Sequence, residues 1–337
     1  MFKYFVSIFT IFLLFGCSSK NVFTPKVEPK EIGFDSRVFS SIEDKNIFSI
    51  KFSDGSILTK DANRYELKLK KGYQALNKFK DLFVIAGKDG ALKIVSKDLK
   101  EKFVTKYKVA VASATLQDNL LAIILSNNTI ILHDIKEDKL LFKERLDPVF
   151  TLDARVANPY FLNDLIIFPT LDGRLLVMNK NDKKIIKDFV VSIDDDFNNI
   201  IFLDAKDNRL LAATQHGIIL IDPKNVATFN ESLKDLLFLK DEIYIFTKDG
   251  SIVLTDTNLN TIKEKKFPFA LFSYATIYSD DIFVLLKNGY MIRVDKDLDK
   301  HIVYKLPTKI DSLVFFAKDK IYIGSNYIDL KKFSKKR

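Results

Sequence analysis

The feature that most restricts this chain is a short phrase repeated along it: an apolar run, a two-residue polar turn and a second apolar run. The clearest copy is Ile243-Tyr-Ile-Phe-Thr-Lys-Asp-Gly-Ser-Ile-Val-Leu-Thr255, with Asp249-Gly250 at its turn. An Asp-Gly pair between β-rich runs signals a hairpin, and a type I′ turn, with positive φ at both central residues, is the expected form. The phrase recurs at Asp54-Gly55, Asp89-Gly90, Asn127-Asn128, Asp172-Gly173, His216-Gly217 and Asn288-Gly289, with a weaker eighth copy in Ile321-Tyr-Ile-Gly-Ser-Asn-Tyr-Ile-Asp-Leu330. Asn, Asp and His are the non-glycine residues most enriched at positive φ, so the variant turns obey the same rule.

Successive turns are separated by steps of 35, 38, 45, 44, 33 and 39 residues. A period near 40 with several strands per unit is the signature of a β-propeller blade, and the 3.6-residue periodicity of helical repeats is absent. The fold class expected is all-β: an eight-bladed β-propeller, or a seven-bladed one should the last copy fold differently. Middle strands read as continuous apolar runs, as strands packed on both faces do, whereas outer strands such as Ile262-Lys-Glu-Lys-Lys-Phe267 alternate with charge. The last unit stops before an outermost strand. Residues 32–39, upstream of the first full unit, are expected to supply it, closing the ring and removing a sheet edge.

The chain falls into four stretches: a signal peptide over 1–16, a tether over 17–32, the propeller over 33–330 and a basic tail over 331–337. Lys3 followed by an apolar run from Tyr4 to Phe15 fits a secretory signal. Leu14-Phe-Gly-Cys17 resembles a bacterial lipobox, which implies cleavage by signal peptidase II between Gly16 and Cys17 and lipidation of Cys17, the chain's single cysteine. Acylation leaves no thiol for a disulfide, so stability must rest on the core. The tether, with Pro25 and Pro29 among Lys and Glu, is expected to be flexible. The tail carries Lys331, Lys332, Lys335, Lys336 and Arg337, and is expected to be solvated or to touch anionic lipid head groups. The formal charge of +9 becomes +8 once the first sixteen residues are gone, yet no aromatic-basic module points to nucleic acid.

A second mark lies between the third and fourth strands of several units: Asp or Asn, then a polar turn with Lys, as in Asp134-Ile-Lys-Glu-Asp-Lys-Leu-Leu-Phe142, Asn179-Lys-Asn-Asp-Lys-Lys-Ile-Ile186 and Asp256-Thr-Asn-Leu-Asn-Thr-Ile262. This layout resembles the repeat of pyrroloquinoline-quinone-type propellers, although the chain contains no Trp. A lipobox joined to such a ring resembles the BamB-like lipoproteins of the outer-membrane β-barrel assembly machinery. The resemblance implies a lipid-anchored, periplasm-facing protein of the outer membrane that binds other envelope proteins. A scaffold of a different envelope machine, such as a motor or secretion apparatus, shares every one of these features, and a quinoprotein-type or ligand-binding propeller is the third reading.

Catalytic and metal sites are not expected. His133, His216 and His301 occupy different repeat positions and lack close second ligands. Asp194-Asp-Asp-Phe-Asn-Asn199 lacks the alternating ligands and central glycine of a calcium loop, and reads as a solvated connection. No cofactor or small-molecule substrate is expected. The informative irregularity is 147–161, where the repeat stretches to 45 residues: Phe150, Arg155 and Tyr160 are residue types that anchor interfaces, and they are the candidate partner-binding residues.

Overall fold

A computed structural model describes residues 21–194 and 196–334; the expected signal peptide and Cys17 lie outside them, as do residues 335–337 of the tail. The strands form eight sheets, each a blade: 42–65, 73–106, 111–145, 160–190, 202–230, 233–266, 272–305 and 314–329, numbered 1 to 8. Every expected hairpin forms the middle of its blade. The middle strands are largely buried, and wholly so at Ser49–Phe52 and Ile243–Thr247, because a neighbouring blade covers each face. Eight apolar clusters result, one at each junction. The last, joining Phe315, Ala317 and Tyr322 of blade 8 to Ile50, Phe52 and Leu58 of blade 1, closes the ring.

Closure is completed by sheet pairing. Ser36–Arg37 pairs antiparallel with Asn326–Asp329, so blade 8 takes its outermost strand from the N-terminal side, as expected. Asp35 secures this join: its carboxylate accepts the Asp329 amide and pairs with Lys332 at 2.7 Å. The described part of the basic tail, residues 331–334, is therefore not free. Lys331–Ser334 forms one helical turn, and Phe333 packs on Phe283 and Tyr304, whose apolar contact outweighs the repulsion among its lysines.

The tether needs a larger correction. Phe23 is only 7% exposed. It sits edge-on to Phe267 and Tyr290, its amide donates to the Phe269 carbonyl at 3.2 Å and its carbonyl accepts from Asn288 Nδ2 at 3.1 Å. Farther on, Lys30–Glu31 adds a fifth, parallel strand to blade 7 beside His301–Lys305. One aromatic anchor and a free sheet edge suffice to order a segment whose composition is that of a linker.

The turns also differ from expectation. At Asp54-Gly55 only Gly55 has positive φ, +82°, and its amide donates to the Phe52 carbonyl at 2.9 Å. This is a three-residue loop, a type I turn followed by a left-handed glycine. Asp54 Oδ1 instead accepts the Ser56 amide at 2.9 Å. Glycine is demanded twice here, because a Cβ on Gly55 would also lie 2.8 Å from the backbone of Leu69, whose amide crosses the turn to bond the Gly55 carbonyl. At His216-Gly217 neither residue adopts positive φ; Thr214 Oγ1 caps both amides. The second mark is a side-chain turn: Asp134, Asn179 and Asp256 each accept two following amides.

Because each blade is an up-and-down meander, its central hairpin turn and the connection to the next blade emerge at the same end. One face of the ring therefore carries all of these turns and connections, and is called the connection face below.

Candidate functional site

The longest connection on that face runs from Lys139–Arg145 of blade 3 to Tyr160–Leu162 of blade 4. Leu146, Val149, Leu152 and Val156 pack on the cluster between these blades, and Ala157 is fully buried. This apolar footing leaves the polar residues to fix the path. Asn199, itself buried, accepts the Asp153 amide at 2.8 Å and donates to the Arg155 carbonyl at 2.7 Å. The Ala157 amide bonds the Ile200 carbonyl at 2.9 Å.

Two side chains of this connection reach across the ring. Asn158 Nδ2 donates to the Leu76 carbonyl of blade 2 at 2.7 Å, and Arg155 Nη1 donates to the Lys234 carbonyl of blade 6 at 2.6 Å. Blades 2 and 6 stand opposite in an eight-membered ring, so the connection is a strap over one mouth of the central channel. Arg155 also forks onto Asp153, with Nη2 to Oδ2 at 2.6 Å and Nε to Oδ1 at 3.0 Å, and Gln215 donates to the same carboxylate.

Below the strap lies a mixed charge cluster. Burial pushes Lys45, Lys60 and Lys234 below the usual lysine range. Asp235, whose carboxylate accepts the Leu236 and Ala275 amides at 2.9 Å each, is pushed up by burial, with Arg155 opposing. Burial would also raise Asp153, but its bonds and charge contact with Arg155 outweigh that and hold it low. Tyr274 is raised by burial and then by Asp235. Arg155 is thus the cation that lets two carboxylates sit inside the ring.

The three residues singled out from the sequence therefore part company. Phe150 is 92% exposed on the connection face. Arg155 is turned inward and committed to Asp153 and blade 6, and Tyr160 is half-buried against the blade 4–5 cluster. Phe150 has neighbours that sequence reasoning passed over. Ile193, also 92% exposed, and Phe197 lie on the next connection, which Thr151 ties to the strap through the Asp196 carboxylate at 2.6 Å and the Phe197 amide at 3.3 Å. Phe197 holds φ at +54°, a conformation that costs a bulky residue energy. The sequence carries a signal for them: Ile193 and Phe197 bracket the acidic run Asp194-Asp-Asp196, and apolar residues beside a solvated run mark an exposed apolar group. Within the stretch 194–199, expected to be solvated, Asp194 and Asp196 are exposed, whereas Asn198 and Asn199 are buried and hydrogen-bonded.

The histidines are separately engaged. His133 meets Asp138 at 3.0 Å, His216 lies 3.3 Å from the Asp194 carboxylate and 3.1 Å from the Asp196 carbonyl, and His301 packs on Phe267, its pKa lowered by burial and then by Lys265. Among the described residues no three His, Cys, Asp or Glu are grouped to hold a metal ion.

No family model matches the chain. It is 30% identical over 236 residues to plasminogen-binding protein PgbB of Helicobacter pylori strain 26695, and 31% identical over 237 residues to that of strain J99. Both alignments cover 66% of this chain and 44% of the relative, so the chain spans less than half the length of these relatives. Among solved structures, BamB from Moraxella catarrhalis matches with a TM-score of 0.63 at 13% identity, over 87% of this chain and 99% of that one. The C-terminal WD40 domain of Sif2 matches at 0.65 and 12%, over 89% and 99%. The fold is a BamB-like eight-bladed β-propeller.

Proposed function

We propose that this chain is a non-enzymatic scaffold of the bacterial envelope, anchored to the outer membrane through a lipid on Cys17 and facing the periplasm, which docks other proteins on its connection face. The observation that carries this reading is the group Phe150, Ile193 and Phe197: apolar side chains held outward by hydrogen-bonded connections on a rigid ring, where propellers place recognition. Carboxylates of Asp194 and Asp196 lie among them, which selects a partner surface that is apolar with a basic rim. The lipobox supports the anchor, and the likeness of fold to BamB supports a place in β-barrel assembly; another envelope machine would use the same surface. The plasminogen binding for which the PgbB relatives are named supports protein binding as the use of this sequence lineage.

The test is a photo-crosslinking amino acid at position 150 in cells, with Leu99 on the opposite face as control, and identification of the captured protein. Recovery of the barrel-assembly pore protein from position 150 alone supports the assembly role. A different envelope machine keeps the scaffold and replaces the pathway. Equal capture from both positions refutes docking on this face.

A further inference from the structure

Exposed apolar side chains are distributed unevenly over the ring. Phe39, Phe150, Ile193, Phe197, Phe269 and Leu271 all stand on connections between blades, and so on one face. The remaining exposed large apolar residues lie on outermost strands along the flank or in the N-terminal segment, except Leu99, which is on the opposite face. The N-terminal segment arrives at the same face. Phe23 is bonded to Phe269 and Asn288, which leaves Val22 exposed beside Phe269, and the Lys287 amide bonds the Leu271 carbonyl at 2.9 Å. Val22, Phe269 and Leu271 thus form a rim on blades 6 and 7, with Phe39 farther round between blades 8 and 1. Lys248, Lys287 and Lys309 are exposed on the turns and connections of this sector, against Asp311, while Asp249 is paired with Lys266.

We propose that this sector of the connection face, Val22, Phe269, Leu271 and Phe39 with its lysines, rests directly on the lipid surface. The inference rests on the lipid-anchor reading for its geometry. Five residues, and so six residue steps, separate Cys17 from the docked Phe23, a reach of at most about 20 Å, so an acyl chain in the bilayer brings this sector down to the head groups. Apolar tips with lysines beside them suit the interface between head groups and acyl chains. The acidic sector around Asp194 and Asp196, on blades 4 and 5, is not drawn down by the anchor and is left for a protein held close to the membrane.

The chain has no Trp, so single-Trp probes report cleanly. Phe269→Trp, Phe39→Trp and the control Leu99→Trp are prepared as processed full-length protein and as Cys17→Ser protein. Each is mixed with vesicles of phosphatidylethanolamine and phosphatidylglycerol carrying brominated acyl chains, and mass spectrometry reads acylation separately. Quenching of the Phe269→Trp and Phe39→Trp probes but not the Leu99→Trp probe supports the proposal, in either protein. In the Cys17→Ser background, Phe269→Asp with Leu271→Asp lowers vesicle partitioning about tenfold or more. An acylated protein with none of the probes quenched, or with all three quenched alike, overturns the orientation and leaves the anchor standing. Absence of acylation refutes the anchor, and the Cys17→Ser arm then decides the face by itself. Protection of the Phe269→Trp probe only when envelope protein is added overturns lipid in favour of a protein partner.

Discussion

The connection face has two sectors built on opposite physical principles. On blades 3 to 5 a long connection is fixed by polar bonds: Asp153, Arg155, Asn158 and Asn199 strap it across the channel, and Phe150, Ile193 and Phe197 are held outward as a result. On blades 6 and 7 the connection is short, and order comes from an aromatic plug, Phe23 between Phe267 and Tyr290. Hydrogen bonds give direction, so the first sector presents a defined surface suited to a specific partner. Ring packing gives attachment with less direction, which suits a sector whose task is to hold the N-terminal segment close.

The largest effect should come from removing the plug. Phe23→Ala leaves a hole between Phe267 and Tyr290 and is expected to cost about 3 kcal/mol in urea unfolding. It should also open the chain to protease between residues 23 and 30. A variant that keeps both stability and protease resistance would show that the strand Lys30–Glu31 holds the segment without Phe23, and would break the comparison.

Removing the strap's cation comes next. Arg155→Met leaves Asp153 and Asp235 inside the ring without their main counter-charge, an expected loss of about 2 kcal/mol. The double variant Arg155→Met with Asp153→Asn should recover part of it. Strictly additive losses in this double-mutant cycle would mean that Arg155 serves only its bond to Lys234.

Phe197→Gly separates stability from docking. It relieves the positive φ and should raise stability by about 1 kcal/mol while weakening capture through position 150. A gain in stability with unchanged capture would remove Phe197 from the proposed surface.

The smallest effect concerns the loop bearing Phe39. Burial pushes Asp54 up, but hydrogen bonds from Ser40 Oγ and Ser56, with Arg64 alongside, outweigh it and bring its pKa to about 2 from 3.8. A carboxyl depressed in the folded state contributes stability that is present above 3.8 and lost as pH falls towards 2. The stability difference between the native chain and Asp54→Asn should therefore shrink across that window. A difference constant down to pH 2 would mean that the Ser40 bond does not depend on charge.

Eight blades, their hairpins and the side-chain turns at Asp134, Asn179 and Asp256 could be read along the chain because each depends on residues within a few positions of one another. Closure by Ser36–Arg37 was legible for a related reason, an incomplete last unit and a spare strand upstream. The form of the hairpin turn was not, since Asp-Gly serves a type I turn with a left-handed glycine as readily as a type I′ turn. Of the candidate site, Phe150 was legible as an apolar residue in a stretched connection. Arg155 was misplaced because interface and interior use arginine for the same forked bonds, and Asp235, which helps hold it inside, is 80 residues away.

Local pattern by itself thus determined the repeat and the strand order within each blade and favoured eight blades over seven, because turn chemistry and apolar alternation act over a few residues. Tertiary structure alone decided that Phe23 docks, that Arg155 turns inward and that exposed apolar residues gather on one face. Each of these depends on which distant backbone or ring the closed circle brings within reach.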